Sequence, residues 1–127
     1  VFPKPIFKRR KPKRKERGQV TPQEAQNAFD WFGNECTICG ATPVELHHVT
    51  FKSQGGRGGY RNLMPLCKKH HDKAHRDRGF ADSLRQERIE MFGKYFSCDR
   101  FDLFEHGHIE DPNEEAFENY MNGKGEK

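Results

Sequence analysis

With 127 residues, the chain has room for one domain and little beyond it. Hydrophobic residues make up 32% and charged residues 33%, which excludes a large self-sufficient apolar core and points to a metal or disulfides as staples. No apolar run approaches a membrane-spanning helix, and the basic N-terminus leads into no apolar signal core, so a soluble, cytoplasmic protein is expected.

The net charge of +4 is unevenly spread. Residues 1–18 hold nine bases against Glu16 alone, and residues 98–127 hold nine acids against three bases. A front-loaded basic segment attracts phosphate backbones, and an acidic tail does not. Pro3, Pro5 and Pro12 lie among the bases with almost no apolar residue after Phe7, so residues 1–20 are expected to be a disordered basic arm. Within it Arg9, Arg10, Lys11, Lys13, Arg14 and Lys15 are the candidate nucleic-acid contacts.

The next segment starts a helix. Thr21 can cap it, Pro22 suits its first position, Glu24 completes a capping box, and Gly33 ends it. Residues 36–40 make a knuckle-like turn, and 44–51 are β-branched and aromatic enough for a strand. Gly55, Gly56, Gly58 and Gly59 make a flexible loop around Arg57, and residues 63–66 are a returning strand that Pro65 marks as an edge. Residues 68–78 lack a breaker before Gly79 and read as a helix, as do about 81–97 from the spacing of Leu84, Arg88, Ile89, Phe92 and Phe96. No element is assigned to 98–110. Asp111 to Glu114 repeats the capping signature, so a short acidic helix to about Met121 is expected.

Two sets of ligand-type residues interleave between 36 and 75. Cys36-x-x-Cys39 and Cys67-x-x-His70 each present two borderline-soft ligands from one turn, which suits tetrahedral Zn²⁺. In a reducing compartment this arrangement favours metal ligation over disulfides. His71 and His75 lie four apart on a helix and share a face, while His47 and His48, adjacent on a strand, point to opposite faces. One of the latter pair can therefore bind metal while the other stays free as a base. Cys98 lacks a partner and reads as a buried or free thiol. His106 and His108 have nothing nearby to complete a site.

The runs Cys36-Thr-Ile-Cys39, Leu46-His47-His48-Val49, Asn62-Leu-Met-Pro-Leu-Cys67 and His70-His71-Asp-Lys-Ala-His75 resemble the HNH endonuclease family, the ββα-metal or His-Me finger fold, and its small phage-encoded members in particular. The resemblance covers about 36–75. It implies that His47, His71 and His75 bind a catalytic divalent metal, that His48 is the general base, and that Asn62 orients it through the imidazole or nearby backbone. Many zinc-bearing members have cysteine where this chain has His70, which is also an acceptable zinc ligand.

The expected fold is α+β: a ββα-metal finger with a zinc knuckle and flanking helices. Residues 21–110 form the nuclease domain, and 111–127 an acidic C-terminal helix and tail. The expected cofactors are a structural Zn²⁺ and one catalytic divalent metal (Mg²⁺, Mn²⁺, Ni²⁺, Co²⁺ or Zn²⁺), and the expected substrate is DNA. Arg57 and Arg61 flank the glycine loop and are candidate phosphate contacts. Two alternatives stand beside a self-sufficient nuclease. One is a non-cleaving, zinc-stabilised DNA-binding or phage packaging-accessory module, and the other is a recombination nuclease that needs a protein partner.

Overall fold

A short hairpin organises the chain. In the computed structural model, which describes residues 11–124, β1 (Glu45–His48) pairs antiparallel with β2 (Leu63–Leu66), placing Glu45 opposite Leu66 and His48 opposite Leu63. All four β2 residues are buried. The hairpin leads into α3 (Lys68–Arg76), which completes a ββα unit. Around it lie α1 (Arg14–Arg17), α2 (Pro22–Phe32), α4 (Arg78–Phe92), α5 (Arg100–Glu105) and α6 (Glu114–Asn119), so the fold is α+β as expected. Tyr120–Lys124 closes the described chain as a π turn. No helix among the described residues is long and apolar enough to cross a membrane.

The local signals set most of these elements, with several differences. Thr21 caps α2 by accepting from the Glu24 N–H at 3.2 Å, and Gly33, at φ +86°, stops it. The Glu24 carboxylate, however, accepts from the Tyr60 N–H at 2.8 Å and so ties α2 to the loop before β2. Between α3 and α4 the break falls at Asp77, whose carboxylate accepts from the Phe80 N–H at 3.1 Å, so Gly79 lies inside α4. Gly93, at φ +95°, ends α4 at Phe92, about five residues earlier than expected. Within 98–110, Asp99 and Asp102 cap one another reciprocally at 3.0 Å and start α5, while α6 is capped by Asn113.

The core is small and sits between the hairpin, α3 and α4. Val49, Met64, Leu66, Ala74, Leu84 and Phe96 pack around Cys36 and Cys67. Burying side chains of this size stabilises by about 1.5–3 kcal/mol each, before ordering costs are subtracted. Arg88 is also enclosed, donating to the Arg61 carbonyl at 2.6 Å with its guanidinium 4.0 Å from the Phe32 ring centroid. Burial pushes it down to about 10, and it stays cationic at neutral pH.

The described part of the basic segment, residues 11–20, is packed on the fold and is not a disordered arm. Residues 1–10, with Arg9 and Arg10, lie outside the described residues. From 11 onward the chain docks on the fold. Lys11 bonds the Glu105 carboxylate, α1 follows, and Arg17 forms ion pairs with Asp99 and Asp102. The physical reason is charge complementarity: the bases of this segment meet the acids of α5, 82 and 85 positions away for Arg17. The acidic C-terminal segment is likewise packed on the domain, with Met121 buried and Glu118 paired to Arg61.

Candidate metal centres and active site

The knuckle brings four ligand atoms together. Cys36, Cys39, Cys67 and His70 each offer one atom within 4.8 Å of the others. Cys39 Sγ lies 3.8 Å from Cys67 Sγ, Cys36 Sγ 3.6 Å from His70 Nδ1, and Cys67 Sγ 3.3 Å from the same nitrogen. A tetrahedron with Zn–S bonds of about 2.3 Å has S–S edges of about 3.8 Å, so the spacing fits zinc. Burial opposes the Cys36 thiolate, but the backbone N–H groups of Cys67, Cys39 and Ile38 outweigh it and bring the thiol to about 6. The Thr37 N–H donates to the Pro65 carbonyl at 2.9 Å, which fastens the knuckle to β2.

The second cluster is His47, His71 and His75, whose ring nitrogens also converge within 4.8 Å. Their ring centroids form a nearly equilateral triangle of 5.0, 5.1 and 5.3 Å. His47 is 1% exposed, and neither of its ring nitrogens has a hydrogen-bond partner. A buried imidazole with both nitrogens unmatched costs free energy, and a metal ion between the three rings would satisfy one of them. Burial, then His71 and His75, push His47 down to about 3, so it is the neutral, ligating form. The donor set therefore fits a divalent transition metal. Phe51 stacks on His75 at 4.9 Å and meets His47 edge-on, closing one side.

His48 sits beside this triangle and lines the same cleft as His71, His75, Lys52 and Ser53. Its Nε2 lies 2.8 Å from the Gly18 carbonyl. A carbonyl can only accept, so Nε2 carries the proton in the neutral ring and Nδ1 is left bare. Burial holds this imidazole below its ordinary value, against the Gly18 carbonyl, which favours the charged form.

Other candidates are placed differently from expectation. Asn62 does not bond His48. It is fully buried, accepting from the Thr50 N–H at 2.8 Å and donating to the carbonyls of Thr50 and Arg57 at 3.1 and 2.8 Å. It holds the loop between the strands through the backbone groups of Thr50 and Arg57. That loop is packed, not loose: a Cβ on Gly56 would meet the Thr50 oxygen at 1.8 Å, and one on Gly58 the Gln19 oxygen at 2.0 Å. Arg57 and Arg61 are not free for phosphate. Arg57 is paired with Asp102 at 2.9 Å, and Arg61 with Glu118 at 2.9 Å, while the Arg61 guanidinium also sits over the rings of Tyr60, Phe92 and Phe117. Their side chains are 13% and 6% exposed, and a phosphate would have to compete with these carboxylates for them.

Three groups escaped the sequence reading. Glu45 stands 2.5 Å from His71 Nδ1, and its place two residues before His47 on β1 was the available signal. Lys52 lines both the cleft and a neighbouring groove shared with Arg14, Lys15 and Gly18. The Gly18 carbonyl had no signal, since every residue carries one.

These features converge on one class. Residues 36–77 match the family model described as HNH endonuclease, and this segment is an HNH endonuclease domain. The chain is also similar to uncharacterized protein YdfU of Escherichia coli (strain K12), 29% identical over 63 residues, which are 47% of this chain and 18% of that protein. The chain thus spans under a fifth of that relative. No solved structure matches.

Proposed function

We propose that this chain is a metal-dependent endonuclease that hydrolyses DNA phosphodiester bonds, with His48 as general base. The observation that carries the reading is the buried, unpartnered His47 within a triangle of histidines, next to an imidazole whose Nδ1 is left free to take a proton. His47, His71 and His75 would hold the cation. When bound, a divalent ion there supplies positive charge against the non-bridging and leaving oxygens of the phosphate.

The residues supply the rest. His48 Nδ1 accepts the proton of the attacking water, and its neutrality near pH 7 suits that task. Asn62 holds the loop that carries Phe51 and Lys52 beside the cleft. Arg14, Lys15 and Lys52 line the adjoining groove and take the place of Arg57 and Arg61 as phosphate contacts. Arg14 is held there by its bond to the Ser53 carbonyl at 2.9 Å. The resemblance supports 5′-phosphate and 3′-hydroxyl ends, a phage-encoded setting, and a recombination or packaging protein as a partner.

The test is incubation of supercoiled plasmid with a series of Mg²⁺, Mn²⁺, Ni²⁺, Co²⁺ and Zn²⁺. Nicked or linear product from the wild-type chain, lost in His48→Ala, is the expected result. DNA binding without cleavage under every metal would instead support the zinc-stabilised binding module.

A further inference from the structure

We infer that the segment 14–19, upstream of the whole cysteine–histidine motif, is a positioning part of the catalytic site, in which Arg17 acts through the Gly18 carbonyl to set the orientation and tautomer of His48. The inference rests on the reading of His48 as the general base and adds the device that aims it.

The orienting bond comes from 30 residues upstream, since His48 Nε2 meets the Gly18 oxygen at 2.8 Å and Asn62 is fully occupied elsewhere. That carbonyl is only as well placed as the segment bearing it, and α1 is a single turn of four charged residues with no apolar side chain to bury. Its anchorage must come from outside. Arg17 provides it: its guanidinium makes two 2.7 Å bonds to Asp99 and one of 3.0 Å to Asp102, with 6% of the side chain exposed. The Arg17 carbonyl accepts from the Gly58 N–H at 3.0 Å, fixing the peptide immediately before Gly18. Arg57 bonds the same Asp102, so the segment and the interstrand loop are clamped to one carboxylate.

The contact surface is shaped for this approach. Gly18 is buried, and a Cβ there would lie 3.4 Å from the Gly56 oxygen and from the Lys52 side chain. Gly58 has no Cβ where one would strike the Gln19 oxygen at 2.0 Å. A bidentate Arg–carboxylate pair fixes direction as well as distance, which a base needs more than it needs affinity. Without it the Gly18 carbonyl loses its only enclosed side-chain anchor among the described residues of the segment, and His48 can adopt the other tautomer, with its proton on the nitrogen that should accept one.

Two measurements on the full, metal-loaded chain test this. In the first, nitrogen-15 spectra of the His48 ring are recorded for the wild type, Arg17→Ala and Asp99→Asn, the last keeping a capping side chain for α5. The wild type is expected to show the Nε2–H tautomer and both variants a mixture. A wild-type ring protonated on Nδ1 would overturn the inference whatever the activity. In the second, plasmid cleavage by Arg17→Ala is expected to lose about tenfold to a hundredfold in kcat, the scale of a misplaced catalytic group, with KM and metal content unchanged and partial rescue in Arg17→Lys. A wild-type kcat in Arg17→Ala, while His48→Ala is dead, would overturn the latch and leave the base assignment standing. Wild-type cleavage by His48→Ala would instead overturn the base assignment, and the inference with it.

Discussion

The Glu45 carboxylate lies 2.5 Å from Nδ1 of His71, on the side of the ring away from any shared ligand position at Nε2. Such a carboxylate fixes the orientation and tautomer of the ring as a ligand. Glu45→Gln is therefore expected to weaken binding of the catalytic metal by about 10- to 100-fold while leaving the Cys36–His70 centre loaded. Calorimetric titration of Mn²⁺ or Ni²⁺ into the zinc-loaded protein reads the change. Unaltered affinity would mean that Glu45 is only a surface partner of His71.

His47 and His48 are adjacent on β1, but His47 faces His71 and His75 while His48 bonds the Gly18 carbonyl, so their substitutions should differ in kind. His48→Ala should keep metal content and DNA affinity and lose cleavage by roughly 10² or more, the scale for a general base. His47→Ala should lose the metal as well, and higher metal concentration should restore part of its activity. Metal stoichiometry measured beside plasmid cleavage separates the two.

The hairpin, α3 and both ligand clusters were legible because they depend on residue type at short spacing. Two ligands three or four apart must share a turn or a helix face, whatever surrounds them. What escaped depends on distant partners. Arg57 and Arg61 have the chemistry of phosphate ligands, and only the fold shows that carboxylates 45 and 57 positions away have claimed them. The second half of the arm reads as disordered by composition, yet the acids that order it lie in α5, itself a six-residue helix with too short an apolar pattern to detect. A backbone carbonyl such as that of Gly18 leaves no trace in a sequence.

The proposed phosphate contacts at Arg14, Lys15 and Lys52 set opposite expectations for Arg61 and Lys52. Arg61→Ala removes an enclosed guanidinium that covers three rings and neutralises Glu118, so it should cost stability by about 1–3 kcal/mol and leave DNA affinity unchanged. Lys52→Glu should do the reverse. It should weaken binding and reduce the log–log salt slope by about 0.9, the share of one neutralised phosphate. Thermal melts and salt-dependent binding to a short duplex decide it, and weaker DNA binding by Arg61→Ala at wild-type stability would return that residue to the DNA face.

The four cysteines should be protected in two different ways, Cys98 by burial and the other three by zinc. Burial, followed by Asp102 and Asp99, pushes the Cys98 thiol up to about 12, so it is almost wholly protonated and unreactive near pH 8. The thiolates of Cys36, Cys39 and Cys67 should be protected by zinc. A thiol reagent should then find almost nothing in the loaded protein and all four cysteines after chelation, because removing structural zinc from so small a core should unfold it. Three fast thiols in the untreated, folded protein would remove the zinc centre.

Two truncations separate the charge of the N-terminal segment from its placement. Deleting residues 1–10 removes Lys4, Lys8, Arg9 and Arg10 but leaves Arg17 and its carboxylates. Binding should lose salt dependence by about 0.9 in slope for each phosphate no longer neutralised, and kcat at saturating DNA should stay near wild type. Deleting residues 1–18 also removes Arg14, Lys15, Arg17 and the carbonyl that bonds His48, so kcat should fall as well as affinity. The contrast lies in kcat, since both truncations lose basic charge. If the longer deletion changes only the affinity and its salt slope, the segment is a phosphate tether and His48 is aimed without it. If the shorter deletion leaves the slope unchanged, DNA recognition rests with Arg14, Lys15 and Lys52 beside the cleft.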